Sequence, residues 1–243
     1  MIRLAQAAQL KLIEWHGLDH VVHGDLDTAA RIGQSTRDAG LGVAAYGSYY
    51  VVGESESQGL PFATVLRTAK ELQAPMVRVW AGNVSPDEAT PAYRATIVAE
   101  SRRIADLAAP EQIQLVFEFH KGSLTQTAES CVAMMDALDH ENARVYWQPA
   151  PELDVSENLT QLSHVLPWLV GLHVFYWCPT DMDRHPLAQG ASEWAQYIEL
   201  ASRHDDTLNA LLEFVKGGEV SQFHEDAATL HRLLTSGASH DGI

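Results

Sequence analysis

The sequence predicts an α/β protein built on a parallel sheet covered by helices. Short runs rich in β-branched and aromatic residues alternate with longer stretches of helical spacing. The strand runs are apolar almost throughout, as expected when both faces are covered. Polar residues gather near the C-terminal ends of several of these runs. An open doubly wound sheet usually carries a glycine-rich first turn, and no GxGxxG follows any strand here. Polar groups at many strand ends favour a (β/α)8 barrel, whose chemistry sits on that rim.

Seven strands are predicted, at 11–15 (KLIEW), 42–50 (GVAAYGSYY), 76–82 (MVRVWAG), 113–120 (IQLVFEFH), 143–149 (ARVYWQP), 171–177 (GLHVFYW) and 210–215 (ALLEFV). Helices are predicted at 2–9, 60–72, 93–109, 127–138, 192–202 and 221–234. Ser85 before Pro86, Asp87 and Glu88, and Ser192 before Glu193, read as helix caps. The strands recur roughly every 25 to 40 residues, the length of a βα unit. A helix opens the chain where a complete barrel would begin with a strand, so the expectation is either a natural gap at the first strand or a start site assigned too late. Such a gap exposes two strand edges, which another segment or a second copy of the chain would cover, making a homo-oligomer an expected partner. The 243 residues read as one domain, with a loose tail at 236–243.

Composition limits the function classes. Hydrophobic residues make up 46% and charged residues 20%, which suits a large buried core. Sixteen basic residues against thirty-two acidic ones leave a formal charge of −16, a field that repels nucleic acid. Two cysteines, Cys131 and Cys178, stand far apart without CxxC spacing, so no disulfide framework or thiolate zinc knuckle is expected. A reduced, cytoplasmic setting follows as the expectation. No apolar run of membrane-spanning length occurs, and the first residues lack the zones of a signal peptide.

Four polar residues stand inside otherwise apolar strands: Glu118 in FEFH, Gln148 in YWQP, His173 in LHV and Glu213 in LLEFV. Burying an unpaired carboxylate costs several kcal/mol, so each glutamate needs a partner. If all four point inward at the C-terminal rim, a divalent cation is the simplest one. Oxygen and imidazole donors suit Mn²⁺, Mg²⁺, Co²⁺ or Zn²⁺. Either glutamate could instead pair with an arginine such as Arg78 or Arg144, and His173 alone could be a hydrogen-bonded core histidine. Gln148 could ligate the cation or hydrogen-bond a substrate hydroxyl.

A barrel with Glu, an acidic or amide residue, His and Glu on successive strands resembles the xylose isomerase-like TIM barrel superfamily. The segments IEWHGLDHVVHGD, AAYGSYYVVG, VRVWAG, SLTQTAES and LLEFVKGG look like its sugar phosphate isomerase/epimerase branch. That superfamily also includes the family-2 apurinic endonucleases. The resemblance implies that Glu118, Gln148, His173 and Glu213 are a metal quartet, with Gln148 a departure from the usual aspartate. It further implies that Arg184, in the stretch DRHPL, contacts substrate.

The implied activity is isomerisation or epimerisation of a small sugar, keto-sugar or sugar phosphate through a cis-enediolate. A metal polarises the carbonyl, one carboxylate removes the neighbouring proton and another returns it. Glu118 and Glu213 would be that catalytic pair. His120, two residues after Glu118, shares its strand face and could bind a hydroxyl. Arg184 and His185 could hold a phosphate, carboxylate or distal hydroxyl, and Lys216-Gly217-Gly218 could cradle phosphate. Trp15, Tyr46, Trp80 and Trp177, with Trp147, Tyr49 and Tyr50 nearby, would form aromatic walls for a sugar ring, although strands favour aromatics anyway. His16, His20 and His23 form an HxxxHxxH loop that could hold a second metal. The alternatives are a lyase of the same fold dehydrating a cyclic keto-polyol or shikimate-like acid, an apurinic endonuclease, which the acidic charge opposes, and a non-catalytic sugar-binding barrel.

Overall fold

The computed structural model describes residues 1–205 and 207–237. Among them, seven strands alternate with helices: α1 (Ile2–Ala7), β1 (Leu12–His16), α2 (Leu26–Asp38), β2 (Gly42–Val51), α3 (Phe62–Leu72), β3 (Met76–Trp80), α4 (Pro91–Ala108), β4 (Gln114–Glu118), α5 (Ala128–Leu138), β5 (Ala143–Trp147), α6 (Val155–Val165), β6 (Leu169–Val174), α7 (Ala191–Ser202), β7 (Asn209–Leu212) and α8 (Val220–Gly237). The chain divides into two compact units, Met1–Tyr146 and Trp147–Ile243.

In the first unit, β1 through β5 pair in chain order and in parallel. Their helices bury one stripe each: Phe62, Val65, Ala69 and Leu72 on α3, and Ile97, Ile104, Ala105 and Ala108 on α4. This i, i+3, i+4, i+7 spacing puts an apolar face on the sheet. Burying one such large side chain stabilises the fold by about 1.5–3 kcal/mol. The sheet itself is irregular at one place. The register between β2 and β3 shifts between Gly47 and Tyr50, and Tyr49 there has φ 56°. Ser48 Oγ donates to the Arg78 carbonyl at 2.6 Å and accepts from the Tyr50 N–H at 3.2 Å, which holds this bulge in place. Bulges of this kind re-aim a side chain near functional sites.

In the second unit, β6 and β7 pair in parallel, with His173 opposite Leu211. Buried Trp194 and Tyr197 on α7 and Ala227 and Leu230 on α8 supply its apolar interior. Asp226 of α8, also buried, accepts the Leu187 N–H at 2.8 Å and so ties the segment after β6 to the last helix.

The predicted strands are all present, but several end earlier than their apolar character suggests. Gln148, Trp177 and Glu213 lie beyond β5, β6 and β7, and His120 beyond β4. Apolar side chains continue past the paired backbone into the loops that follow the strands. Two caps differ from expectation. Thr90, not Ser85, caps α4 by accepting the Tyr93 N–H, and Pro91 occupies its first position. Ser85 belongs to the preceding turn, where its carbonyl accepts from Glu88 and Ala89. Gly190, not Ser192, precedes α7.

Apolar spacing did not single out α2 or α6. Their start signals are polar: Asp25 accepts from Thr28 at α2, and Asp154 with Glu157 forms a reciprocal capping box at α6. The expected tail begins inside α8, since Ser236 and Gly237 are helical, and 238–243 lie outside the described residues. No helix among the described residues is long and apolar enough to cross a membrane.

Candidate active site

Strand alternation sorts the first unit's side chains into two sets. Trp15 and Tyr46, opposite each other in the β1–β2 register, share one face. It is the helix-covered one: the Trp15 indole N–H donates to Thr36 of α2 at 3.2 Å. Tyr46 is fully buried, donates its hydroxyl to the Val21 carbonyl at 2.8 Å and meets His23 Nδ1 at 2.7 Å. Desolvation pushes the Tyr46 phenol well above its ordinary range. The expectation that Trp15 and Tyr46 line a sugar-binding wall is therefore corrected: both are packing residues, one step out of register with the other face.

That other face carries Glu14 and His16 of β1, Arg78 and Trp80 of β3, and Glu118 of β4. Arg78 is the centre of this set and is only 3% exposed. Its Nε donates to Glu14 Oε1 at 2.7 Å, and its Nη1 pairs with Glu118 Oε2. The Trp80 indole N–H donates to the same Glu118 oxygen at 2.6 Å. Pairing an arginine with a strand glutamate was the rival to metal ligation, and for Glu118 it is present. Arg144 takes no such part; its Nη1 goes to the carbonyls of Glu141 and Ala143. A guanidinium between two carboxylates offsets the cost of burying all three, which any one alone would not survive.

Gly47 makes the arrangement possible. A Cβ there would lie 2.5 Å from Glu14 Oε1 and 2.9 Å from Arg78 Nη2. The β2 bulge then delivers the Tyr49 ring onto the guanidinium, 4.8 Å from its centre. Aromatic contacts continue along this rim: His16 and Tyr49 centroids lie 4.4 Å apart, Tyr49 and Trp80 5.5 Å, and Trp80 and His120 4.5 Å and nearly parallel. Trp80 and His120 thus stand together beside Glu118, whereas Tyr50 is buried against Phe62.

Sequence reasoning passed over Glu14, named Tyr49 only as one aromatic among several, and treated Arg78 only as a possible clamp. The signal for Glu14 was available, because KLIEW carries a lone carboxylate in an apolar strand just as FEFH does. Nothing in the sequence separated Tyr49 from its neighbours Tyr46 and Tyr50, because its position depends on the bulge.

The HxxxHxxH loop does not form a metal centre. His16 Nδ1 accepts the N–H groups of Leu18 and Asp19, each at 3.2 Å, and is therefore the unprotonated nitrogen of a neutral ring. His23 turns to Tyr46. Desolvation lowers the pKa of both His16 and His23.

In the second unit, His173 is 2% exposed and two predicted partners stand at one of its nitrogens. Gln148 Oε1 lies 3.2 Å from His173 Nδ1, and Glu213 Oε2 lies 3.4 Å from it. Glu213 sits two residues past Leu211, the register partner of His173, and so shares its face. Nδ1 carries at most one hydrogen and cannot serve two oxygen acceptors well. An amide oxygen, a carboxylate oxygen and an imidazole nitrogen facing one another are the donor set of a divalent cation, so these residues fit one.

Farther along, Arg184 lies over Trp177 at 5.3 Å and over Phe214 at 4.8 Å, and Trp177 and Arg184 also form a backbone bridge. His185 Nε2 lies 3.0 Å from the Cys178 carbonyl, and the His185 backbone N–H donates to the Tyr176 carbonyl. Arg184, His185 and Trp177 thus form one loop cluster. Lys216, Gly217 and Gly218 make an exposed turn in which Gly217 has φ 69° and Gly218 φ 67°.

A family model described as Xylose isomerase-like TIM barrel matches residues 2–174. No curated protein matches the chain. Among solved structures, the probable 3-DHS dehydratase AsbF from Bacillus anthracis is similar with a TM-score of 0.77 at 17% identity, over 95% of this chain and 92% of that one. A xylose isomerase-like TIM barrel protein from Mycobacterium smegmatis, in complex with magnesium, gives 0.73 at 17% identity, over 98% and 88%. D-psicose 3-epimerase from Clostridium cellulolyticum H10, with D-tagatose, gives 0.72 at 12% identity, over 96% and 92%. At these identities the likeness is one of fold.

Proposed function

The chain belongs to the xylose isomerase-like TIM barrel family, and from that premise we propose that it is a divalent-metal-dependent isomerase or epimerase of a small keto-sugar. The observation that carries this reading is the approach of Gln148 and Glu213 to one nitrogen of buried His173. In the proposal Glu118 is the fourth member of the ligand set. Magnesium in the Mycobacterium smegmatis structure and D-tagatose in the psicose epimerase are consistent with such a site.

A bound divalent cation would supply a Lewis acid for the carbonyl and neighbouring hydroxyl oxygens of a ketose, making the adjacent C–H acidic. The chain's own residues would do the rest. Glu213 and Glu118 would be the two carboxylates that remove and return the proton. Arg78 and Trp80 both hold Glu118 Oε2, which fixes the rotation of that carboxylate. His173 and Gln148 orient Glu213. Trp80, stacked on His120, offers a flat surface to a sugar ring. Arg184 and His185, with Trp177, would bind the far end of the substrate.

The test is a deuterium wash-in screen over ketoses and inosose-like ketones with Mn²⁺ added, beside metal analysis of the protein. Solvent deuterium entering carbon next to a carbonyl, lost in Glu213→Gln, is the expected result. A purified protein that takes up no divalent metal and exchanges no deuterium overturns the reading. Loss of water from the product would instead make it a dehydratase, the reaction named for AsbF.

A further inference from the structure

We infer that Phe214 is a positioning residue, kept in a strained backbone conformation so that its ring seats the Arg184 guanidinium. Its effect on a substrate rests on the functional reading above, in which Arg184 binds the far end of the ligand. The seat itself does not rest on that reading.

The backbone supplies the first observation. Among the described residues, Tyr49 and Phe214 are the only aromatic residues with positive φ, at 56° and 49°. The other non-glycine cases, Gln9, Gln73, Gln112 and Asp139, are polar and stand at helix ends, where this conformation is an ordinary stop. A bulky side chain in the left-handed region is an outlier that costs stability. The same loop shows the cheaper solution: Gly217 and Gly218 take φ 69° and 67° with no side chain to strain. Burial does not account for a phenylalanine at position 214, since it is 41% exposed.

What the ring touches does account for it. The Arg184 guanidinium lies over Phe214 at 4.8 Å and over Trp177 at 5.3 Å, and the two ring centroids are 4.9 Å apart. Buried Phe175 completes the cluster, 4.3 Å from Trp177 and 6.2 Å from Phe214. The Arg184 backbone is fixed separately, by its bridge to Trp177. Beside that bridge the Cys178 N–H donates to the Asp183 carbonyl at 3.2 Å, and the His185 N–H to the Tyr176 carbonyl at 2.9 Å. The rings therefore act on the side chain alone. In the first unit Tyr49 repeats the device, with its ring 4.8 Å from the Arg78 guanidinium.

A ring holds a guanidinium as a carboxylate would not. A carboxylate takes its hydrogens and cancels its charge, whereas an aromatic face attracts the cation and leaves the N–H groups at the edge of its plane. Among the described residues no hydrogen bond or ion pair engages the Arg184 guanidinium, in a chain with 32 acidic residues against 16 basic ones. Arg184 thus keeps its charge and its donors for a ligand while its long side chain loses freedom.

The test reads the seat without turnover. Trypsin takes an arginine side chain into its specificity pocket, so the rings compete with cleavage after Arg184. In Phe214→Leu that cleavage should speed up about fivefold relative to cleavage after Arg203 in the same digest, and Phe214→Tyr should restore the original ratio. A ratio unchanged in Phe214→Leu overturns the inference. Should that variant fail to fold, Phe214→Gly makes the same comparison. Phe214→Gly should also unfold at a urea concentration no lower than Phe214→Leu, although it removes more apolar surface, because it alone relieves the backbone. A lower midpoint for the glycine variant would make position 214 ordinary packing and overturn the strain.

Deuterium wash-in, with Mn²⁺ and with D-fructose and D-tagatose as probes, tests the consequence for a substrate. Phe214→Leu should raise KM about fivefold, more than it lowers kcat, and should add nothing to Arg184→Ala. An effect that persists without the arginine side chain means the ring meets the ligand itself, which overturns the positioning role. If the unaltered protein exchanges neither ketose, the failure lies with the functional reading, and the digest decides the seat alone.

Discussion

Arg78 Nε reaches Glu14 Oε1 at 2.7 Å across β2, directly above Gly47, where any larger side chain would come between them. A charged pair seldom bridges two strands that are not neighbours, and here it does so because the intervening residue has no side chain. The same arginine continues to Glu118, so the three strands β1, β3 and β4 are joined through one guanidinium.

Gly47→Ala should therefore displace both partners. Its Cβ meets Glu14 Oε1 at 2.5 Å, and Arg78 is too deeply buried to swing aside. Overpacking of this kind costs about 1–3 kcal/mol. Urea denaturation should show a lower midpoint with an unchanged slope.

Metal binding should depend unequally on the second unit's donors. His173→Ala is expected to weaken Mn²⁺ binding at least about a hundredfold, and Gln148→Ala only about tenfold, because a neutral amide is the poorer ligand. Calorimetric titration of the two variants checks the order. A larger loss for Gln148 would reverse the assignment.

Stability should fall on acidification through the histidine range. Desolvation lowers the pKa of His16 and His23 from the ordinary 6.5, so the unfolded chain takes up protons on them first as pH drops. Their contribution is present above about pH 6.5 and is lost as pH falls below it. His23→Gln should flatten the slope of melting temperature against pH between about 7 and 5.

Trp15→Phe separates packing from recognition. It removes the indole N–H that Thr36 accepts, while Thr36 keeps its own bond to the Ile32 carbonyl. The expected cost is about 1 kcal/mol of stability with ketose affinity unchanged. A weakened affinity would return Trp15 to the substrate wall.

Much of the candidate site is legible as lone polar residues in apolar strands. Glu118 and His173 stand out this way, with Gln148 and Glu213 just past their strand ends, and the same rule marks Glu14. Aromatic residues were not legible in that manner, because a tryptophan favours a strand whichever face it lands on. Trp15 and Trp80 read alike in sequence, yet one covers α2 and the other donates to Glu118.

By itself the sequence determined the order of the strands and most of the helices between them, the parallel pairing that follows from their spacing, and the chemistry of the polar residues at the strand ends. Those are local properties: an apolar run, a cap, a carboxylate that must find a partner. Tertiary structure alone decided which partner each group found. Arg78 chose Glu14 and Glu118 over other acids because Gly47 cleared a path, and Tyr49 came to lie on the guanidinium because a bulge inserted two extra residues into β2 relative to β3. Such contacts depend on strand parity and on backbone from distant segments, neither of which is written near the residues they bring together.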